Sequence, residues 1–369
     1  MNAINALRKQ VFSSSHSALV IFSDINIRYL SGFSGHAATV LITNNVNYLI
    51  TDYRYFEQAK AQAGHAQKRF NVICRDRANQ SLTALIIELL NQENSQTVYF
   101  ESEHTSVAQW QEMAEQIAKL TEVKTISPLA GTVEKLRMIK TADEISNIKQ
   151  AAKIADQALA NIIPLIKAGI TEQELATELD YQMAKLGSEE LSFATILGFG
   201  ERSALPHGIP SNRALKKGDL ILIDFGAVVN GYRSDMTRTF VFGQASDKQR
   251  HIYHLVQTAQ QAAIDTLANA SKEGVSGQAL YQASAEIILN SQYKDYAGEG
   301  LGHGVGLQLH EQPFLGPDCQ TQIKPSHVIT IEPGIYIPDW GGIRIEDDVV
   351  LTKQGLEILT QSPKALIEL

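Results

Sequence analysis

Two aspartates flank a tight-turn dipeptide in the stretch Ile221-Leu-Ile-Asp-Phe-Gly-Ala-Val-Val-Asn-Gly-Tyr-Arg-Ser-Asp-Met-Thr-Arg-Thr-Phe240. Asn230-Gly231 suits a two-residue type I′ turn, which needs positive φ at both central positions. Counting outward from that turn pairs Val229 with Tyr232, Gly226 with Asp235 and Asp224 with Thr237. The carboxylates of Asp224 and Asp235 are then diagonal neighbours on one face of a hairpin. Aspartate is depleted in strands, and two converging carboxylates repel unless a cation neutralises them. The pair therefore points to metal chemistry. The competing reading is a solvated strand face with Asp224 at the surface.

Further candidates lie downstream. Alternate glycines from Gly298 to Gly306 surround His303, with His310 close behind; such a setting suits an irregular strand with close backbone approach. The plainer alternative for each histidine is a hydrogen-bonded structural role. Glu332 interrupts the apolar β run Val328-Ile-Thr-Ile-Glu-Pro-Gly-Ile-Tyr-Ile-Pro338, where a carboxylate is costly unless paired or metal-bound. In Gly342-Ile-Arg-Ile-Glu-Asp-Asp-Val-Val-Leu351, Arg344 and Glu346 fall on one face of an expected strand, and the plainer alternative is an ion pair on a solvated face. Asp224, Asp235, Glu332 and Glu346 together with His303, all expected on strands, form a donor set suited to two borderline divalent cations. Four negative charges balance two such cations, leaving a bridging water free to ionise near neutral pH.

The elements that must position these groups fall into two parts. Between about residues 18 and 125 short β-type runs (18–22, 38–43, 46–51, 71–74 and 97–101) alternate with helical spacing over 53–63, 80–91 and 106–120, and Asn44-Asn45 marks a hairpin turn. This predicts an α/β domain. The break Ile126-Ser-Pro-Leu-Ala-Gly131 places the boundary between a 1–128 domain and a 129–369 domain. Beyond it, Thr141-Ala-Asp-Glu144 and Thr171-Glu-Gln-Glu174 are capping boxes. The first opens a helix expected to run to Ala168-Gly169, the second one expected to end before Gly187. Strands then dominate, interrupted by helices expected over 247–270 and 276–292. The second domain is expected to be α+β, with helices backing a curved sheet.

A chain of 369 residues favours two domains, and 44% hydrophobic with 20% charged residues supplies a sizeable core. A net charge of −8 with scattered lysines and arginines argues against nucleic acid. The N-terminal residues lack a signal-peptide pattern and no long apolar run appears, so neither membrane insertion nor export is expected and a cytoplasmic location is. Cys74 and Cys319 have no metal-type spacing, which leaves oxygen and nitrogen as the metal donors.

Taken together these residues resemble the creatinase/aminopeptidase P/prolidase family of "pita-bread" metallopeptidases over essentially the whole chain. The likeness is carried by Tyr29-Leu-Ser-Gly-Phe-Ser-Gly35, Thr51-Asp-Tyr-Arg-Tyr55 and Glu134-Lys-Leu-Arg-Met-Ile-Lys140. It continues through Arg202-Ser-Ala-Leu-Pro-His-Gly208, Asp224-Phe-Gly, Ser234-Asp-Met-Thr-Arg-Thr239, Gly302-His-Gly-Val-Gly-Leu, His310-Glu, Ile331-Glu-Pro-Gly and Arg344-Ile-Glu-Asp347. The resemblance implies a creatinase-like α/β N-terminal domain and a pita-bread catalytic domain. It implies that Asp224 binds one metal, that Asp235 and Glu346 bridge two, and that His303 and Glu332 complete the second site. His207 and His310 match substrate-facing histidines, and Arg344 an arginine beside the bridging carboxylate.

The implied activity is hydrolysis of Xaa-Pro bonds in short peptides by an Xaa-Pro aminopeptidase, with a strict Xaa-Pro dipeptidase as the alternative and a non-catalytic binding module as a further one. Glu332 is implied as the base, two metals as cofactors (manganese first, cobalt or zinc otherwise), and a homodimer or higher homo-oligomer as the assembly. Glu299 stands where longer aminopeptidase P enzymes often carry a histidine. Arg54 is a candidate for reaching a partner subunit, with pairing to Asp52 or Glu57 as the alternative.

Overall fold

The computed structural model describes residues 3–64, 70–270 and 273–369, and the chain divides into two units, Met1–Arg137 and Met138–Leu369. In the first unit, six strands form a mixed sheet in the spatial order Phe70–Cys74, Asn47–Thr51, Ala38–Thr43, Ser17–Ile21, Thr97–Glu101 and Thr125–Leu129. Its central strand is buried on both faces, as its continuous apolar run requires. Leu19 and Ile21 pack into one core, whereas Ala18 and Val20 pack into another that also holds residues of helices Leu82–Gln92 and Val107–Leu120. Those two helices begin at Ser81 and Ser106, whose hydroxyls accept from Ala84 N–H and Gln109 N–H.

The division falls later than the expected 128/129 boundary. The Pro128 break is an edge strand, where a residue without an N–H is tolerated, paired in parallel to Thr97–Glu101. The short helix Thr132–Arg137 continues the same unit, with Val133 in its core. Helices Ala3–Val11 and Asp24–Ser31 lie outside the expected set. Arg54 pairs with Asp52 through two hydrogen bonds of 3.0 and 2.8 Å, the alternative foreseen for it.

The second unit opens with helix Ala142–Ile162, whose capping box is formed by Thr141 and Glu144. This helix stops short of Gly169: Pro164 cannot donate to the preceding turn, and Ile163–Leu165 tighten into a 3₁₀ turn. Helix Glu172–Lys185 follows its own capping box, formed by Thr171 and Glu174. Both helices contribute to a core with a three-stranded antiparallel sheet ordered Met236–Val241, Leu220–Phe225, Ile196–Phe199. A five-stranded sheet runs in the order Glu311–Leu315, Gly302–Gly304, Val328–Ile331, Asp347–Thr352, Gly355–Ile358. Helices Asp247–Ala268 and Gly277–Leu289 share a core with it through Ala263, Leu267, Leu280, Leu315, Ile329 and Val349. A two-stranded ribbon, Gly334–Ile337 with Gly341–Arg344, completes the parts that concern the site.

Candidate metal centre

The hairpin register is as counted from its turn. Asn230 and Gly231 both have positive φ, Val229 opposes Tyr232, and Thr237 opposes Asp224. A side chain at Gly226 would collide with the Ser234 carbonyl, so the strands approach closely just where the carboxylates meet. Asp224 and Asp235 are 7% and 4% exposed, which removes the solvated-face reading.

Glu332 and Glu346 are not inside strands as expected. The long β run breaks into Val328–Ile331 and Gly334–Ile337, with Glu332 and Pro333 at the break. Likewise Gly341–Arg344 and Asp347–Thr352 belong to different sheets, with Glu346 between them. Each break is fixed by a backbone bond to another strand's end: Glu332 N–H donates to Leu301 C=O and Glu346 N–H to Thr237 C=O. The carboxylates thus enter the site from seams between sheets. Arg344 and Glu346 do not form an ion pair on a solvated face; both are buried, and Arg344 pairs with Asp224.

A carboxylate oxygen from each of Asp224, Asp235 and Glu346 lies within 4.8 Å of the others. His303 Nε2 is 3.4 Å from Glu332 Oε1 and 3.7 Å from Asp235 Oδ2. Its Nδ1 lies 3.0 Å from the Gly304 carbonyl; an N–H there places the free lone pair on Nε2, toward the carboxylates. Two buried oxygens, Asp224 Oδ1 and Glu346 Oε1, have no hydrogen-bond partner. Buried carboxylate oxygens without donors are costly. Together with the imidazole they make a donor set of hard oxygen and one nitrogen that fits divalent cations.

The electrostatics agree. Burial, then the charges of Glu346 and Asp224, push the Asp235 carboxyl well above its ordinary range. Burial and the charges of Glu332 and Asp224 do the same to Glu346. Glu332 is raised to about 7, by burial and by Asp224, against the opposing pull of Arg344. Burial lowers His303 and His310, which keeps both imidazoles neutral. Cations of high charge would reverse the penalty on the carboxylates.

A layer of donors fixes the outward oxygens. Arg344 is the hub: its guanidinium reaches Asp224 Oδ2 at 2.6 Å, Thr237 Oγ1 at 2.9 Å, Tyr336 Oη at 2.7 Å and the Pro206 carbonyl at 3.2 Å. Thr237 in turn donates to Glu346 Oε2 at 2.6 Å, and Thr330 to Glu332 Oε1 at 3.0 Å. Asp348, fully buried, accepts the Asp235 backbone N–H at 2.9 Å. His310 stacks edge-on against His303 with ring centroids 4.4 Å apart, and His207 is close enough for its charge to lower His310. His207 sits on the exposed loop after Arg202, whose Pro206 carbonyl is the one Arg344 holds. Glu299 is exposed, outside this constellation.

Sequence reasoning missed Thr237, Thr330, Tyr336 and Asp348 as supports. The hairpin register had already set Thr237 opposite Asp224, and that pairing was the available signal. It also missed Lys140, which forms a buried ion pair of 3.1 Å with Glu311, the residue after His310.

The fold and the site define a metal-dependent peptidase. Residues 146–353 match metallopeptidase family M24, and residues 4–139 match the Creatinase/Prolidase N-terminal domain; the chain belongs to that family. It is similar over its whole length to a solved Xaa-Pro dipeptidase from Bacillus anthracis, at 36% identity and a TM-score of 0.91, covering 100% of this chain and 99% of that one. A solved X-Pro aminopeptidase from Thermotoga maritima is 34% identical with a TM-score of 0.87, covering 99% and 100%. An Xaa-Pro dipeptidase of Pyrococcus horikoshii is 35% identical over 96% of this chain and 95% of its own. No helix among the described residues is long and apolar enough to cross a membrane.

Proposed function

We propose that this protein is an Xaa-Pro aminopeptidase with a dinuclear metal centre, releasing the first residue from short peptides whose second residue is proline. The observation that carries the reading is the convergence of Asp224, Asp235 and Glu346 on one point, with two buried carboxylate oxygens left without donors. The strict Xaa-Pro dipeptidase is the second reading, favoured by the names of the relatives in Bacillus anthracis and Pyrococcus horikoshii.

Asp224 would hold one cation, Asp235 and Glu346 would bridge two, and His303 with Glu332 would complete the second site. When bound, such cations (manganese first, cobalt or zinc otherwise) supply Lewis acidity and a water ionised near neutral pH. Glu332 would take a proton from the attacking water and deliver it to the leaving proline nitrogen. His310 and His207 would donate to the substrate carbonyl oxygen as negative charge develops on it. Arg344 would act on the reaction through Asp224 and Thr237, holding the carboxylates in place. A prolyl amide has no N–H, so recognition relies on the ring's shape and on the substrate's free α-amino group. The free thiols Cys74 and Cys319 fit a reducing, cytoplasmic setting. A homodimer is part of the proposal, and sedimentation equilibrium tests it.

The deciding experiment measures metal content and hydrolysis of an Xaa-Pro dipeptide and an Xaa-Pro-Xaa tripeptide in the same preparation. Stoichiometric metal with cleavage of the Xaa-Pro bond supports the reading. Inertness of the fully loaded protein toward both substrates overturns it.

A further inference from the structure

Phe314 is the unexplained residue beside this site. It lies on the edge strand Glu311–Leu315 and is 52% exposed, unusual for a phenylalanine on a strand whose Glu311, Pro313 and Leu315 point inward. In the antiparallel ladder it stands directly opposite His303. Opposed residues of such a ladder project from the same face with Cβ atoms about 4.5–5.5 Å apart. The aromatic ring therefore rises from the face on which His303 meets Glu332 and Asp235, whereas Leu315, one residue on, packs into the core on the other face.

The site has two chemically different sides. The carboxylates of Asp224, Asp235 and Glu346 gather at the hairpin of the three-stranded sheet, where they would hold the cations. On the other side the rings of His303 and His310 meet, and Phe314 stands opposite His303 in the ladder just where its register shifts; an aromatic side suits the prolyl ring and whatever follows it. A dipeptide would place a free carboxylate there. Among the described residues, three cations near the site's loops are already committed: Arg344 to Asp224, Thr237, Tyr336 and Pro206, Lys140 to Glu311, and Arg202 to Glu172 and the Ile209 carbonyl. An apolar ring beside a free carboxylate penalises its desolvation, whereas a peptide continuing past proline presents a neutral amide and a further side chain.

We propose that Phe314 is a specificity-determining residue: its ring forms the wall against which the leaving segment rests, and it selects peptides that continue beyond proline over Xaa-Pro dipeptides. The inference rests on the Xaa-Pro reading above and names the substrate class within it.

The test compares kcat/KM for an Xaa-Pro dipeptide, its C-terminal amide and an Xaa-Pro-Phe tripeptide in the wild type, Phe314→Ala, Phe314→Leu and Phe314→Lys, each with metal content measured. The wild type should prefer the amide and the tripeptide to the dipeptide. Phe314→Ala should lose about tenfold in kcat/KM for the tripeptide, mostly in KM, with Phe314→Leu recovering much of it. Phe314→Lys should move the ratio toward the dipeptide, with a gain that salt weakens. A second readout needs no turnover: calorimetric titration of the metal-free protein with Pro-Phe and with free proline. Tighter binding of Pro-Phe in the wild type, lost in Phe314→Ala, is expected. Substrate ratios unchanged in Phe314→Ala at full metal content overturn the inference while leaving the Xaa-Pro reading intact, and a wild-type preference for the dipeptide overturns it and turns the Xaa-Pro reading toward the dipeptidase. A loaded wild type that cleaves none of the three substrates overturns both.

Discussion

Thr237 gives its hydroxyl proton to Glu346 because Arg344 leaves it no other arrangement. The Arg344 Nε–H can only donate, and it donates to Thr237 Oγ1 at 2.9 Å; the threonine's own proton then goes to Glu346 Oε2 at 2.6 Å. One guanidinium thereby fixes Asp224 directly and Glu346 through one hydroxyl. Their remaining oxygens, Asp224 Oδ1 and Glu346 Oε1, are without donors. Thr237→Val keeps the shape and deletes the relay. Metal affinity is expected to fall about 10–100-fold, read by titration against a chelator, with Thr237→Ser restoring most of it. Unchanged affinity in the valine variant would show that the relay does not orient Glu346.

The proposed bridging residues make a different prediction. Asp235→Asn and Glu346→Gln each remove one negative charge from the buried cluster proposed to balance two cations. Both variants should lose bound metal, measured by elemental analysis after gel filtration, and turnover with it. A variant that keeps full occupancy and near-normal turnover removes that residue from the bridging role.

Glu332 should separate binding from catalysis. Glu332→Gln retains an oxygen but cannot take a proton, so turnover should fall by about 10²–10⁴-fold, the usual worth of a general base. Metal affinity should fall far less. Near-normal turnover at saturating substrate would assign the proton transfer elsewhere.

How much of this centre could be read from the sequence depended on distance along the chain. The Asp224–Thr237 pairing followed from Asn230-Gly231 alone, because a two-residue turn sets the register locally. Glu332 and Glu346 were recognised as costly carboxylates in apolar runs, yet were placed inside strands. Their breaks come from backbone bonds to Leu301 and Thr237, remote in sequence. The early end of helix Ala142–Ile162 was local and legible in Pro164, but the later Gly169 offered a stronger-looking stop. Both capping boxes formed as expected because all their donors and acceptors lie within one turn. The family resemblance supplied the grouping of His207 and His310 with the metal residues, which no spacing rule could give. Nothing local marked Lys140, whose partner Glu311 lies 171 residues away.

That buried pair carries its own prediction. Lys140 and Glu311 have side chains only 2% and 5% exposed, and Glu311 also accepts the Gln308 N–H at 3.0 Å, so the ion pair holds the loop that ends in His310. Lys140→Met leaves the carboxylate without its cation and should cost about 3–5 kcal/mol. Combining it with Glu311→Leu should recover much of the thermal stability but not the activity, since the loop loses its Gln308 anchor as well. Equal recovery of stability and activity in the double variant would mean that the pair does not position His310.

The carboxylates also predict how the metal-free protein responds to pH. Glu332 titrates near 7 in the fold against an ordinary value of 4.5, and Asp235 and Glu346 are raised as well, in each case by burial first and by neighbouring carboxylates. A raised carboxyl pKa means that the folded state binds more protons than the unfolded state between the two values. Stability then falls as pH rises through that window. For Glu332 its contribution is greatest below 4.5 and is lost progressively up to about 7; the other two, raised as well, add a decline of the same sign. The chelated protein should therefore lose thermal stability from pH 5 to pH 8, followed by differential scanning calorimetry. Added manganese should oppose the decline, because cation binding favours the ionised carboxylates and grows stronger as they deprotonate. Replacing Glu332 with glutamine should flatten the lower part of the metal-free profile. A metal-free protein whose stability rises across this range would contradict the crowding of charge at the site.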